Sequence, residues 1–386
     1  MKVDFHESPR SSVGIEWELF VVDAETGALA PGAPDLIRLV HGGDDRPIRK
    51  EYLPCVIELV SEPRRVVADA VADLREHRDE VLDAASSLGL ALIGAGTHPF
   101  SRSEDQEPIP IPRYQAVAHE NGWWGRQMAI CGTHVHVGVA DQRYVLPMTW
   151  TYSRFYPYLL ALSASSPYWE GEDTAFASQR TMMFQQLPTN GLPYLFSTWA
   201  EFESYIDDAI ESHMIEHADE LRWDVRPSPK FGTVENRIPD CVPTLAELGC
   251  LAALTQCLGE FFERAFDEGD SPDYLAPWLV RENKWRVARY GLDATIMTPD
   301  RGTGRTHALR EGLAERLEQF RPIAEDLGCA TELAFAYDIL ERGASYERQR
   351  RVAGDPDAPD VRAVARLLME ETAAEAPAWG DVGTAP

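Results

Sequence analysis

Positive charge is what this chain of 386 residues has least of: 36 Lys and Arg stand against 63 Asp and Glu, a formal net charge of -27. Nucleic acids and anionic membrane surfaces are held by clustered cations, so neither is expected as a partner. Any anionic substrate must instead meet local cations, either metal ions or grouped arginines. Paired cysteines are also missing. None of Cys55, Cys131, Cys241, Cys250, Cys257 and Cys329 forms a C-x-x-C pair, and a chain of this size needs no disulfide framework, so buried free thiols are expected. No uncharged apolar run approaches the ~18–20 residues of a membrane span. Residues 1–10 carry acids and no apolar stretch, so no signal peptide is expected. These absences predict a soluble cytoplasmic protein.

Several catalytic signatures are absent as well. There is no G-x-x-x-x-G-K-[ST] loop, so phosphates are not cradled in the P-loop manner. The run Gly94-Ala95-Gly96-Thr97-His98-Pro99 has proline where a dinucleotide fingerprint needs its third glycine. No G-x-S-x-G elbow and no H-E-x-x-H helix occurs. Neither a fixed-period repeat nor a clear linker divides the chain. One α+β domain over residues 1–372 is expected, with antiparallel strands and helices on one face. Residues 373–386, rich in Ala, Pro and Gly, read as a disordered tail.

What is present is a set of alternating polar strands. Residues 13–23 read as a strand with a hairpin turn at Ala24-Glu25-Thr26-Gly27; 51–60, 90–95 and 130–139 read as further strands. Residues 63–88 show helical spacing of Val67, Ala70, Val71, Leu74, Val81, Leu82 and Ala85 before Gly89. A Pro-rich loop at 108–112 precedes a helical segment around 123–128, and 147–164 look helical. A long irregular stretch follows, marked by Gly171, Pro188, Gly191 and Pro193. Thr244-x-x-Glu247 is a capping box opening an apolar helix to about Phe262. The last hundred residues are mostly helical.

In Gly14-Ile15-Glu16-Trp17-Glu18, Thr133-His134-Val135-His136-Val137 and Thr233-Val234-Glu235-Asn236-Arg237, polar groups occupy every second position. Successive side chains of a strand face opposite ways, so Glu16/Glu18, His134/His136 and Glu235/Arg237 each share a face. If the three strands lie in one sheet, that face is costly to bury unless it holds cations or an anionic ligand. Singly, each pair has a plainer reading: a wet edge strand, two structural histidines, an internal ion pair. Glu58, inside Val-Ile-Glu-Leu-Val, sits where a carboxylate stays ionised only beside a cation. A set dominated by Glu oxygens with imidazoles suits Mg²⁺ or Mn²⁺. Residues 281–291 form the strongest cationic cluster, including Lys284, Arg286 and Arg289; it reads as anion recognition or as a solvated helix face.

These strands belong to a longer series: Gly-Thr-His-Pro-Phe at 96–100, Trp-Trp-Gly-Arg-Gln-Met at 123–128, Gly-Thr-His-Val-His-Val-Gly at 132–138, Met-Phe-Gln-Gln-Leu-Pro-Thr at 183–189, Gly-Thr-Val-Glu-Asn-Arg-Ile at 232–238 and Glu-Asn-Lys-Trp-Arg-Val-Ala-Arg-Tyr-Gly-Leu-Asp-Ala at 282–294. With Gly-Ile-Glu-Trp-Glu they resemble the glutamate–cysteine ligase type 2 family, in its carboxylate–amine ligase branch and closest to actinobacterial members. The resemblance runs from about residue 10 to 370. It implies a glutamine synthetase-like fold, a curved antiparallel β-sheet funnel with helices on its outer face. It also implies ATP and Mg²⁺ or Mn²⁺, amino-acid substrates, γ-glutamylcysteine as product and, at family level, a homodimer.

By motif position Glu16, Glu18, Glu58, His134 and Glu235 match metal ligands, Glu51 matches a further one, and Arg237 matches a contact to the transferred phosphoryl group. His136, Trp124, Arg126, Lys284, Arg286 and Arg289 are candidate contacts for nucleotide or substrate. Asn236 and Trp17 depart from the family's pattern, but alternation turns both away from the funnel. Three other readings stay open: a different acid and amine pair, a metal-dependent amide hydrolase working without nucleotide, and a catalytically idle binding protein.

Overall fold

Alternation along the first strand organises the molecule. In the computed structural model, which describes residues 2–43, 46–270, 275–300 and 303–379, β1 spans Val13–Asp23. Its odd positions Ile15, Trp17 and Leu19 are fully buried, each worth about 2–3 kcal/mol of apolar transfer. The Trp17 indole also donates to the Val242 carbonyl at 2.9 Å, so it does face away from the polar side. The remaining strands of the sheet are β2 (Ile48–Lys50), β3 (Val56–Val60), β4 (Leu90–Ile93), β5 (Thr133–Gly138), β6 (Val225–Ser228) and β7 (Thr233–Asn236). Their order is β6-β7-β5-β1-β3-β2, with β4 beside the far end of β1. Every pairing in it is antiparallel. The sheet is open, and its apolar side is covered by helices that include Val67–Ser87 and Leu245–Asp267. The architecture is α+β, as expected.

The second of these helices is long and apolar enough to cross a membrane by length and composition, yet its apolar window is buried in the core. It starts where the capping box predicts, with Thr244 Oγ1 accepting from the Glu247 amide.

Four boundaries differ from the sequence expectation. The helix expected from residue 63 starts at Val67, because Arg64 is held extended by backbone bonds to Val13 in both directions. The strand expected from residue 51 starts at Val56; the chain turns through Tyr52–Cys55, and Pro54 has no amide to give to a ladder. The C-terminal region contains a hairpin, Thr295–Asp300 with Thr303–Ala308, between its helices. The segment expected to be a tail from 373 is docked as far as it is described. Arg78 donates to the Ala374 carbonyl, Glu375 pairs with Arg75 and Arg78, and the Trp379 ring stacks on Phe335. Residues 380–386 lie outside the described residues.

Candidate active site

The register of the sheet decides which side chains meet. Glu18 lies opposite Glu58, Glu16 opposite His134, and Glu235 opposite His136; directly opposed residues share a face. Arg49 opposite Glu58 and Arg226 opposite Glu235 extend the row at either end. The three alternating motifs therefore form one surface. The ligand atoms of Glu16, Glu58 and His134 lie within 4.8 Å of one another, as do those of Glu16, His136 and Glu235, and those of Glu18, Glu51 and Glu58. Glu51 and Glu58 would face opposite ways on an unbroken strand, since seven residues separate them. The turn at Tyr52–Cys55 brings Glu51 round to the same side.

His134 Nδ1 is 3.0 Å from Glu16 Oε2, and its Nε2 is 3.7 Å from Glu18 Oε1. His136 Nε2 lies 3.5 Å from Glu16 and 3.7 Å from Glu235, while its Nδ1 meets Thr233 Oγ1 at 2.8 Å. Glu235 accepts from Arg226 Nε at 2.7 Å and from Arg237 Nη1. His136, read from the sequence as a nucleotide or substrate contact, thus sits among potential metal ligands.

The charges at the two ends are balanced differently. Burial pushes the Glu18 carboxyl up to about 7, with Glu51 adding to the rise against Arg180 and Arg237. Glu58 is pushed well above the carboxylate range by burial and by Glu16, Glu51 and Glu18. Glu235 is also buried, but Arg226 and Arg237 overcome that burial and hold it far below the usual range. For Glu16 burial is outweighed by hydrogen bonds from both histidines, and its carboxyl is held low. Burial and the Arg237 charge bring His134 down to about 4. His136 is raised, because Glu235 and Glu16 outweigh its burial.

Arg180 is a component that the sequence reading did not single out. Its side chain is 3% exposed and passes beneath the start of β5. A Cβ on Gly132 would stand 2.2 Å from its Nη2, so a larger residue there would displace the guanidinium. Arg180 donates to the carbonyls of Arg237 and Ile238. The Nε groups of Arg180 and Arg237 are buried without a protein hydrogen-bond partner, unusual for buried N–H groups. Arg222 adds a further cation, its pKa lowered by burial and by the neighbouring Arg237 and Arg226. Arg180 lies within the irregular stretch, on the short helix Gln179–Phe184, and Arg222 lies beyond it on a two-residue strand, so no periodicity marks either side chain's direction.

The remaining candidates divide. The short helix Gly122–Arg126 exposes Trp124 and Arg126 and is tied to the Glu51 turn by a bond from the Tyr52 hydroxyl to the Gly125 carbonyl, 3.1 Å. It therefore borders the acidic end. Lys284 does not reach the face: it is 2% exposed and its Nζ lies 2.6 Å from Asp224, itself 1% exposed. Arg286 is engaged by Glu282 and the Thr295 carbonyl; Arg289 donates to the Ala175 carbonyl and lies over the Phe176 and Tyr290 rings. None of those partners belongs to the carboxylate–His surface. Asn236 is fully buried on the reverse side, where its Nδ2 donates to Thr255 Oγ1 at 3.4 Å.

This fold is that of a glutamate–cysteine ligase. A solved glutamate–cysteine ligase from Francisella tularensis, in complex with AMP, superposes with a TM-score of 0.67 at 13% identity, covering 97% of this chain and 91% of that one. A bifunctional glutathione synthetase from Pasteurella multocida gives 0.65 at 14% identity, covering 94% and 52%. The family model described as glutamate-cysteine ligase family 2 (GCS2) matches residues 12–367. A relative from Mycobacterium tuberculosis, carrying the provisional name glutamate–cysteine ligase 2, is 46% identical over 370 residues, 96% of this chain and 97% of the relative. An Arthrobacter relative with a similar provisional name is 45% identical over 379 residues, 96% and 98% of the two chains. The chain belongs to glutamate–cysteine ligase family 2. It is a ligase, ATP-dependent as that family is.

Proposed function

We propose that this protein joins a carboxylate to an amine through an acyl phosphate, with glutamate and cysteine as the substrates and γ-glutamylcysteine as the product. The observation that carries the reading is the sheet register, which sets Glu58, Glu18, Glu16, His134, His136 and Glu235 in one row with arginines at both ends. Oxygen donors with one or two imidazoles fit Mg²⁺ or Mn²⁺. Glu16, Glu18, Glu51, Glu58, His134 and Glu235 would hold such ions, with His136 joining Glu16 and Glu235. A divalent ion bound there supplies charge neutralisation where phosphate and carboxylate oxygens converge.

A substrate carboxylate oxygen attacks the γ-phosphorus of ATP, the bond to the β-phosphate oxygen breaks, and ADP leaves. The amine nitrogen then attacks the acyl carbon and expels phosphate, its lost proton passing to solvent. Arg237, anchored on Glu235 and with its Nε unpaired, would meet the transferring phosphoryl group. Arg180 and Arg222 add positive charge for the substrate's anionic groups, and Trp124 with Arg126 walls the Glu51 end.

The test is ADP release with glutamate and a panel of amines, with and without Mg²⁺. Amine-stimulated release that is greatest with cysteine is expected. Release with a different amine alone would keep the ligase and replace its product; amide hydrolysis without nucleotide would replace the reading altogether.

A further inference from the structure

Residues 3–8 lie outside any helix or strand, between the helix Trp199–Glu211 and the turn at 229–232 that joins β6 to β7. At one end the Val3 amide donates to Glu203 Oε1 at 2.8 Å, the Trp199 indole donates to the Val3 carbonyl at 3.0 Å, and the Phe5 ring meets Trp199 edge-on at 5.9 Å. At the other the His6 amide donates to the Pro229 carbonyl at 2.9 Å, and the Ser8 hydroxyl donates to the Phe231 carbonyl at 2.7 Å. Contact with the turn is close. Gly232 has φ +66°, and a Cβ there would stand 1.7 Å from the His6 carbonyl oxygen.

The turn in its own right touches the polar face. The Phe231 ring stands edge-on to His136 at 5.8 Å, and Thr233, the first residue of β7, meets His136 Nδ1 at 2.8 Å. Phe231 is 53% exposed, so burial in the core does not fix its place. The 3–8 segment holds the turn from one side, and the Val139 amide, donating to the Gly232 carbonyl at 3.0 Å, holds it from the end of β5.

We propose that residues 3–8 are a strap that positions the 229–232 turn and, through Phe231 and Thr233, the His136 imidazole beside Glu16 and Glu235. The inference rests on the metal-binding part of the proposed function. A ligand's orientation is set by the groups around it, and loss of such groups costs metal affinity. The strap is an outer layer of that support, and local bonds of this kind open independently of the whole fold.

The experiment compares wild type with Gly232→Ala, which collides with the strap and strains the turn's positive φ, and with Phe5→Ala/Ser8→Ala, which removes two strap anchors and leaves the turn's own residues unchanged. Mn²⁺ alone is titrated into nucleotide-free protein, and backbone hydrogen exchange is followed in peptides covering 228–234 and 13–20. The strap predicts faster exchange at 228–234, unchanged exchange at 13–20, and Mn²⁺ affinity reduced roughly tenfold, the lower end for supporting groups. Ser8→Thr on the Phe5→Ala background keeps the hydroxyl and recovers part of the affinity. Unchanged exchange at 228–234, or faster exchange with undiminished Mn²⁺ binding, overturns the inference. Wild type that takes up no Mn²⁺ overturns the metal reading beneath it, a result distinct from wild-type uptake that the variants leave intact.

Discussion

The two ends of one sheet face solve the same electrostatic problem in opposite ways. At the β1–β3 end Glu18, Glu51 and Glu58 crowd together, and burial and mutual repulsion drive the Glu18 and Glu58 carboxyls upward. At the β5–β7 end Glu235 is as deeply buried, yet Arg226 and Arg237 keep it ionised. The first end sets three carboxylates against Arg49, 3.9 Å from Glu58, whereas the second has two arginines bonded to one carboxylate. Groups that share a face but are pushed in opposite directions suit a site with two tasks: in the proposed reaction the acidic end would take up cations and the arginine-lined end would meet an anion.

The strongest way to break this contrast is at the acidic end. Glu58 belongs to two of the three donor groups, so Glu58→Ala should lower kcat by at least about 10⁴-fold, since several kcal/mol of charge stabilisation go with the cation it helps to hold. ADP release measured on protein whose circular dichroism matches wild type checks this; near-normal turnover removes Glu58 from the site. At the other end Arg237→Ala should cost roughly 10³-fold in kcat, as for arginines that stabilise a transferring phosphoryl group. Divalent-ion affinity should change much less than for Glu58→Ala. Equal losses of Mn²⁺ binding in the two variants would erase the distinction between the ends.

How much of this was legible in the sequence follows from strand geometry. Period-two alternation exposes Glu16/Glu18, His134/His136 and Glu235/Arg237, because a side chain's direction on a strand is fixed by its position alone. Glu51 was harder: strand parity sets it opposite Glu58, and only the turn around Pro54 reverses that. Arg180 carried no signal, lying on a short helix within an irregular stretch and reaching the face from beneath Gly132. The segment at 281–291 is a different case. Charge density in sequence says nothing about a buried partner, and Lys284 finds Asp224 sixty residues away.

That pair separates structural cations from functional ones. Removing one member of a buried ion pair leaves the other desolvated and costs about 3–5 kcal/mol. Lys284→Met should therefore lower stability by about that amount in chemical denaturation, while folded protein keeps its KM for ATP within about twofold, a change of roughly 0.4 kcal/mol. Asp224 also binds the Arg237 amide through its carbonyl, so a modest fall in kcat is compatible with a structural role. A large rise in KM for ATP with undiminished stability would return Lys284 to the nucleotide site.

The smallest effect tests the acidic end through pH. Glu18 titrates near 7 and Glu58 well above its usual value of 4.5, so the folded protein without divalent ions holds protons that the unfolded chain has already released. These two carboxyls make stability fall as pH rises from about 4.5 through 7, because the native state binds their extra protons, while His134, brought down to about 4, opposes them up to its ordinary 6.5. A divalent cation requires the ionised carboxylates and displaces those protons, so its uptake is favoured by rising pH. Added Mg²⁺ should raise Tm more at pH 8 than at pH 5.5, its stabilisation free energy approaching about 2.7 kcal/mol when its concentration is a hundredfold above Kd. Thermal melts at the two pH values, with Mg²⁺ and with EDTA, measure the difference directly. The Arg237→Ala variant should retain that pH dependence and Glu58→Ala should lose most of it, since the coupled protons reside at the acidic end. A Mg²⁺ stabilisation that is equal at both pH values, or larger at the lower one, would mean that the crowded carboxylates are not where the cation binds.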